Sequence, residues 1–321
     1  MENVHTKAEL KQYQSLPLSH KIRLTQDRIQ TWYESWKKYI IYNSKTKTIR
    51  SIVSDKSPKL AEDEYIDECY NGQVFVSFSG GKDSTVLLHI AREMYPDIEA
   101  VYVNTGLEYP ELQQFVKTFD NVTILRPKMR FDEVIRKYGY PIISKEASER
   151  VYNARQCLKH MRGGNTDISS IIISSPEHFP IRVQQLFGTG GFFSKRYDFS
   201  KWKDLLNVDF NISNRCCNIM KKAPLNKQSK KAIVATMAEE SQLRLSAWIK
   251  TGCNAFEHGI SKPMSFWTEQ DVLRYIKEYN IPIASIYGDV VYKARDGNTY
   301  ENLLCDTGNS KLCTTLCQRT G

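Results

Sequence analysis

The chain has no long hydrophobic run: none of its apolar stretches approaches the roughly 18 residues that a membrane-spanning helix needs. Its amino-terminal stretch, MENVHTKAELKQYQS, lacks the basic-then-apolar pattern of a secretory signal. The two absences together lead to the expectation of a cytoplasmic protein with no membrane partner. The eight cysteines are accordingly read as reduced thiols or as metal or cluster ligands, because disulfide frameworks belong to oxidising compartments. No internal repeat is visible. No histidine stands out as an acid or nucleophile, and His89 falls inside an amphipathic pattern that reads as a packed or surface position.

What is present is a globular composition. The 321 residues are 41% hydrophobic and 25% charged, enough to bury the core of one large or two modest domains. The net charge of +9 creates a field that attracts anions, whether nucleotides or nucleic-acid backbones, and equally describes a merely basic surface. It leaves the partner undecided, as it does the oligomeric state.

Residues 8–42 carry Ile22, Ile29, Trp32, Tyr33, Trp36 and Ile40 near helical spacing and are expected to be helical. Residues 43–72 turn polar without a clear period and are expected to be a connecting segment. Strand and helix then alternate: VFVSF, a helix from about Ser84 to Glu93, EAVYVN at 99–104, a helix from about Pro110 to Phe119, and NVTIL at 121–125. Near-continuous apolar strands separated by short helices predict buried parallel strands with right-handed crossovers, an α/β fold of the doubly wound type.

The chemistry concentrates where the first of these strands turns into its helix, at Ser79-Gly80-Gly81-Lys82-Asp83-Ser84. Val86, Leu87, Ile90, Ala91 and Met94 share one helix face, so that face lies on the sheet and the amino-terminal turn projects from the strand's carboxyl end. Two glycines there allow unusual φ values and a close anion approach, while the first amides and the helix dipole favour negative charge. The hydroxyls of Ser79 and Ser84 add donors and Lys82 a point charge. The Walker pattern is excluded, because Val76 stands where its first glycine belongs and Asp83 follows the lysine. The alternative is a plain capped strand-to-helix turn.

At these residues the chain resembles the PP-loop ATP pyrophosphatases, whose SGGKDS-type loop follows a hydrophobic strand. VNTGLEYPELQQFVKTF (103–119), RCCNIMKKAPL (215–225), MAEESQLR (237–244) and PMSFWTEQDVLRYIKEYNIPIASIYG (263–288) are similar to segments of the branch that contains the phosphoadenosine-phosphosulfate (PAPS) reductases. Within that branch the likeness is to proteins that retain SGGKDS, among them ATP sulfurylase small subunits and the PP-loop proteins of DNA phosphorothioation. The resemblance implies cleavage of ATP between its α- and β-phosphates with Mg2+, to adenylylate an acceptor in sulfur activation or transfer. It implies Ser79, Gly80, Gly81, Asp83 and Ser84 at the β- and γ-phosphates, with Lys82 adding charge and Asp83 orienting the metal. Asn104, Thr105 and Gly106 are then expected near the adenosine, and Arg244, with Lys221, near the α-phosphate or the second substrate. Cys216, Cys217, Cys313 and Cys317 are similar to the ligand set of a 4Fe-4S cluster, although the last spacing is one residue too long, and Cys253 and Cys305 are alternative ligands.

Three other functions stay open at this point: an ATP-dependent sulfur-modification component acting on DNA or tRNA, a PAPS or adenylyl-sulfate reductase, and a noncatalytic ATP-binding module. The reductase lacks support from a terminal Glu-Cys-Gly-type nucleophile, which is absent. The expected organisation is a helical segment and linker over 1–72, the PP-loop domain over 73–290 with an insertion at about 163–205, and a cysteine-containing tail over 291–321. Thr268-Glu269-Gln270-Asp271 reads as a helix cap. An Arg-rich helix, SERVYNARQCLKHMR, offers Arg150, Arg155, Lys159 and Arg162 to nucleic-acid phosphates or simply to solvent.

Overall fold

The computed structural model describes residues 3–161, 180–187, 199–295 and 298–306. They form two compact units, one of Met1–Leu125 with Lys227–Gly321 and the other of Arg126–Asn226. None of the described helices is long and apolar enough to cross a membrane.

The first unit opens with α1 (Lys7–Gln14) and α2 (Leu18–Ser35). Pro17, which has no N–H to donate, separates them and precedes α2. Leu18, Ile22, Thr25, Ile29 and Trp32 make the buried stripe of α2 at three- and four-residue spacing. The helix expected to reach residue 42 stops at Ser35, where Trp36 turns extended. Residues expected to connect instead build a three-stranded antiparallel sheet, with β1 (Lys37–Asn43) central between β2 (Thr48–Ser54) and β3 (Glu64–Tyr70). Only Tyr39 and Ile41 of β1 are buried, and the two edge strands lie largely in solvent. A strand wetted on both faces has no reason to alternate polar and apolar residues, so its period is not written in the sequence.

The next segment follows the expected order: β4 (Val74–Ser77), α3 (Lys82–Met94), β5 (Ala100–Val103), α4 (Pro110–Val116) and β6 (Val122–Leu125). Val86, Leu87, Ile90 and Ala91 are fully buried, as the helical face required.

The second unit contains α5 (Phe131–Tyr138), α6 (Lys145–Met161), α7 (Ile181–Phe187), a 3-10 helix over Ser200–Leu206, α8 (Arg215–Cys217), a π-helical turn over Asn218–Lys222, and α9 (Ala223–Leu225). It has its own apolar core, in which Val151, Ala154 and Leu158 of α6 meet Val183, Leu186, Leu206 and Ile212. Arg155 leaves that core to donate to the carbonyls of Leu206 (3.1 Å), Phe210 (2.6 Å) and Val208.

The chain then returns to the first unit as β7 (Lys231–Ile233), α10 (Gln242–Thr251), β8 (Asn254–Ala255), β9 (Ile260–Ser261), α11 (Glu269–Glu278) and an antiparallel hairpin of β10 (Asp289–Arg295) and β11 (Asn298–Asp306). The main sheet has the order β6-β5-β4-β7-β9-β8, and every pair is parallel except β8 with β9. The winding reverses between β4 and β7, so the loops that leave these two strands flank the topological switch point where ligands bind in open α/β sheets.

Candidate functional site

The loop after β4 owes its shape to Gly80. Its φ is +75°, and a Cβ there would lie 2.9 Å from Cγ2 of Val116 and 3.3 Å from the Leu112 carbonyl oxygen. Gly81 is the N-cap of α3, and no side chain caps that end of the helix. The leading amides of a helix have no intrahelical acceptor, so at α3 they are left to solvent or to a ligand. The serines brace the loop from within. Ser84 Oγ accepts from the Ser79 amide (3.2 Å) and donates to the Gly81 carbonyl (2.9 Å), and Ser79 Oγ accepts from the Gly81 amide (3.3 Å).

Lys82 is 1% exposed. Its ammonium lies 3.0 Å from Oδ1 of Asp83 and 3.4 Å from Oε1 of Glu269, at the start of α11. The Glu269 amide in turn donates to Oε1 of Glu239 (2.5 Å) in the loop after β7. Three segments distant in sequence are thereby tied at the carboxyl edge of the sheet. Burial raises the Glu239 carboxyl above its ordinary value, reinforced by the charges of Glu269 and Asp271 and opposed by the Glu269 amide. Arg244, near the start of α10, pairs with Glu240, and burial pulls its guanidinium downward against the favourable charge of Asp83.

Sequence reasoning missed two polar groups here. Lys262 directly follows β9, and burial lowers its ammonium, with the like charge of Arg244 adding to the effect. A two-residue strand gives no pattern from which its carboxyl end could be located. The Thr236 hydroxyl, in the loop after β7, is buried with no hydrogen-bond partner among the described residues.

Asn104, Thr105 and Gly106 follow β5 at the same edge of the sheet. Asn104 Oδ1 accepts the Gly106 amide (2.9 Å), while the amide and hydroxyl of Thr105 both donate to the Glu108 carboxylate (3.0 and 2.7 Å). Gly106 has φ +78° and nothing within 4 Å of a Cβ placed on it. The turn thus satisfies its own side chains and leaves an open approach over Gly106.

Cys216, Cys217 and Lys221 belong to the second unit, in α8 and the π-helical turn that follows it. Burial raises the Cys216 thiol, which disfavours the thiolate a metal requires. Cys313 and Cys317 lie outside the described residues, and no group of three or more His, Cys, Asp and Glu side chains suited to a metal occurs among the described ones. Two thiols do not make a cluster site, so no chemistry is assigned to one. For Mg2+ the demand is smaller, since it is commonly held by substrate phosphates with one or two carboxylates. Asp83, at the head of α3, is a carboxylate of that kind.

Two uncharacterized proteins of Methanocaldococcus jannaschii share segments with the chain. MJ0973 is 36% identical over 85 residues, which cover 24% of this chain and 20% of the relative. MJ0066 is 37% identical over 73 residues, 21% of this chain and 15% of the relative. The chain thus matches a fifth or less of the length of these relatives. The family model of the phosphoadenosine phosphosulfate reductase domain matches residues 73–164 and 188–293. That match spans more than half of the chain and includes the glycine loop, the switch point and the Glu239–Glu269 contact, so the chain belongs to the PAPS reductase-like branch of the PP-loop superfamily, a nucleotide-binding family.

Proposed function

We propose that the protein is an ATP-dependent enzyme that cleaves ATP between the α- and β-phosphates and transfers the adenylyl group to an acceptor in sulfur activation or transfer. The observation that carries this reading is the uncapped start of α3, presented by Gly80 and Gly81 at the switch point of the sheet. An oxygen of the acceptor attacks the α-phosphorus, the bond from that phosphorus to the oxygen bridging to the β-phosphate breaks, and pyrophosphate leaves with the electron pair.

The protein's share of the work is to hold and neutralise the leaving group. The amides at the head of α3 and its dipole meet the β- and γ-phosphates. Lys82 adds positive charge behind them, fixed in place by Asp83 and Glu269. Asp83 would hold Mg2+, which when bound would supply further charge neutralisation. Arg244 and Lys262 lie on the β7 and β9 side and suit the α-phosphate or an anionic acceptor, and the backbone over Gly106 suits the adenine.

The test is to incubate the protein with ATP, Mg2+ and sulfur-containing or oxyanionic acceptors, and to separate AMP and pyrophosphate from ADP and phosphate. AMP or an adenylylated acceptor with pyrophosphate is the expected result. Release of ADP and phosphate, or tight ATP binding without turnover under every acceptor, overturns the proposal.

A further inference from the structure

The net positive charge of this protein is confined to one of its two units. Residues 126–226 contain 18 Lys and Arg against 9 Asp and Glu, while the remainder of the chain contains 27 of each. The whole net charge of +9 therefore resides in the second unit, and the unit that carries the glycine loop is neutral overall. A field so concentrated attracts an extended anion to one place on the chain.

The two described arginines of α6 are engaged within the protein. Arg155 donates to three carbonyls and Arg150 faces Glu146 and the ring of Phe199. Arg162 lies outside the described residues. Exposed cations also lie outside that helix. Arg126, Lys128, Lys137 and Arg215 are exposed and make no ion pair among the described residues, whereas Arg130 and Arg136 both meet Asp132.

Two of these cations, Lys137 and Arg215, lie against aromatic rings. The Arg215 guanidinium lies 5.6 Å from the ring centroid of Tyr138 and 5.5 Å from that of Tyr152, and the Lys137 ammonium lies 5.5 Å from Tyr138. Two residues on, Tyr140 packs edge-to-face against Phe210 at 5.8 Å, with 51% and 39% of these residues left exposed. The cluster is built, since the Tyr140 amide donates to the Asn211 carbonyl (2.8 Å) and the Ser213 amide to the Tyr140 carbonyl (3.1 Å). Gly139 permits that approach, because a Cβ there would lie 2.4 Å from the Asn211 backbone.

We infer that the second unit binds single-stranded nucleic acid, with Arg126, Lys128, Lys137 and Arg215 at the phosphates and Tyr140 and Phe210 as the stacking platform for bases. Flat rings set among cations take unpaired bases, which a duplex keeps stacked within itself. A bilayer would instead call for a broad aliphatic face. The inference does not depend on the chemistry assigned to the glycine loop.

Fluorescence anisotropy of the full chain with labelled oligothymidylate, oligouridylate and a mixed-sequence duplex tests it, alongside flotation with phosphatidylserine-containing vesicles. The expected result is binding of one or both single strands that weakens roughly thirtyfold between about 50 and 200 mM salt. The exposed pair Arg126→Ala/Lys128→Ala and, separately, Arg215→Ala should each lower the steepness of that dependence. Tyr140→Ala with Phe210→Ala should weaken binding about tenfold at unchanged salt steepness. Absence of single-strand binding at about 50 mM salt, equal or tighter binding of the duplex, preference for vesicles, or affinities unmoved by these folded variants overturns the inference.

Discussion

Lys21 of α2 and Asp271 of α11, far apart in the chain, form an ion pair of 2.6 Å in which the lysine is 1% and the aspartate 7% exposed. The same ammonium donates to the Gln14 carbonyl (2.7 Å), and the same carboxylate accepts from the amide and hydroxyl of Thr268 (both 2.7 Å). The pair therefore fastens the amino-terminal helices to the cap of the helix whose first residue, Glu269, reaches Lys82. Removing one partner strands the other charge in the interior. Lys21→Met should destabilise the fold by about 3–5 kcal/mol, read from urea denaturation. A loss below about 1 kcal/mol would show that water reaches the carboxylate and that the pair holds little.

The two positive-φ glycines of the site should respond differently to alanine. At Gly80 the new methyl meets Val116 and Leu112 as well as an unfavourable φ, so Gly80→Ala should cost about 1–3 kcal/mol of stability and reduce ATP affinity at least about tenfold. At Gly106 the space is open, and only the backbone term of about 1–2 kcal/mol applies. Melting temperature and nucleotide titration on both variants check the contrast. Equal effects would mean that the packing of Gly80 against α4 is not what fixes the loop.

Arg155 holds the second unit together by donating to the carbonyl oxygens of Leu206, Phe210 and Val208. Arg155→Met keeps the aliphatic stem and removes all three donors, and should destabilise this unit by about 3 kcal/mol. Arg155→Lys should recover only part of that, since one ammonium cannot reproduce a planar fork. Hydrogen exchange over α6 and the Ser200–Leu206 segment is the measurement, and full recovery by lysine would refute the fork.

Glu239 carries a pH dependence of known sign. Its carboxyl is raised in the folded protein above the ordinary 4.5, chiefly by burial. The folded state thus holds that proton more tightly than the unfolded chain. The associated stability is fully present below about 4.5 and is lost as pH rises through the raised value. Glu239→Gln keeps an acceptor for the Glu269 amide and removes the ionisation. Its stability relative to the parent should therefore increase with pH above about 4.5 and level off once the parent is ionised. A difference in urea midpoint that stays flat, or that falls with rising pH, contradicts the assignment.

The glycine loop was legible because each of its signals is local. The apolar strand, the paired glycines and the amphipathic helix fall within residues 74–94, and the capping box at Thr268 and Asp271 spans one turn. The small sheet over residues 37–70 was illegible for the opposite reason, as its edge strands are wetted and carry no alternation. Lys262 escaped notice because nothing beside it in the sequence says that it stands where a strand ends, and Thr236 because a single hydroxyl inside an apolar run carries no signal of its own.

By itself the sequence determined the strand–glycine–helix unit, the doubly wound class and the family, since these rest on patterns that neighbouring residues complete among themselves. Tertiary structure alone decided that β7 lies beside β4, that Glu239 and Glu269 meet next to Lys82, and that Arg155 is consumed within its own unit. Those contacts depend on which strands pair across long crossovers and on which charges are drawn out of water together. Both are settled by the burial of the whole chain.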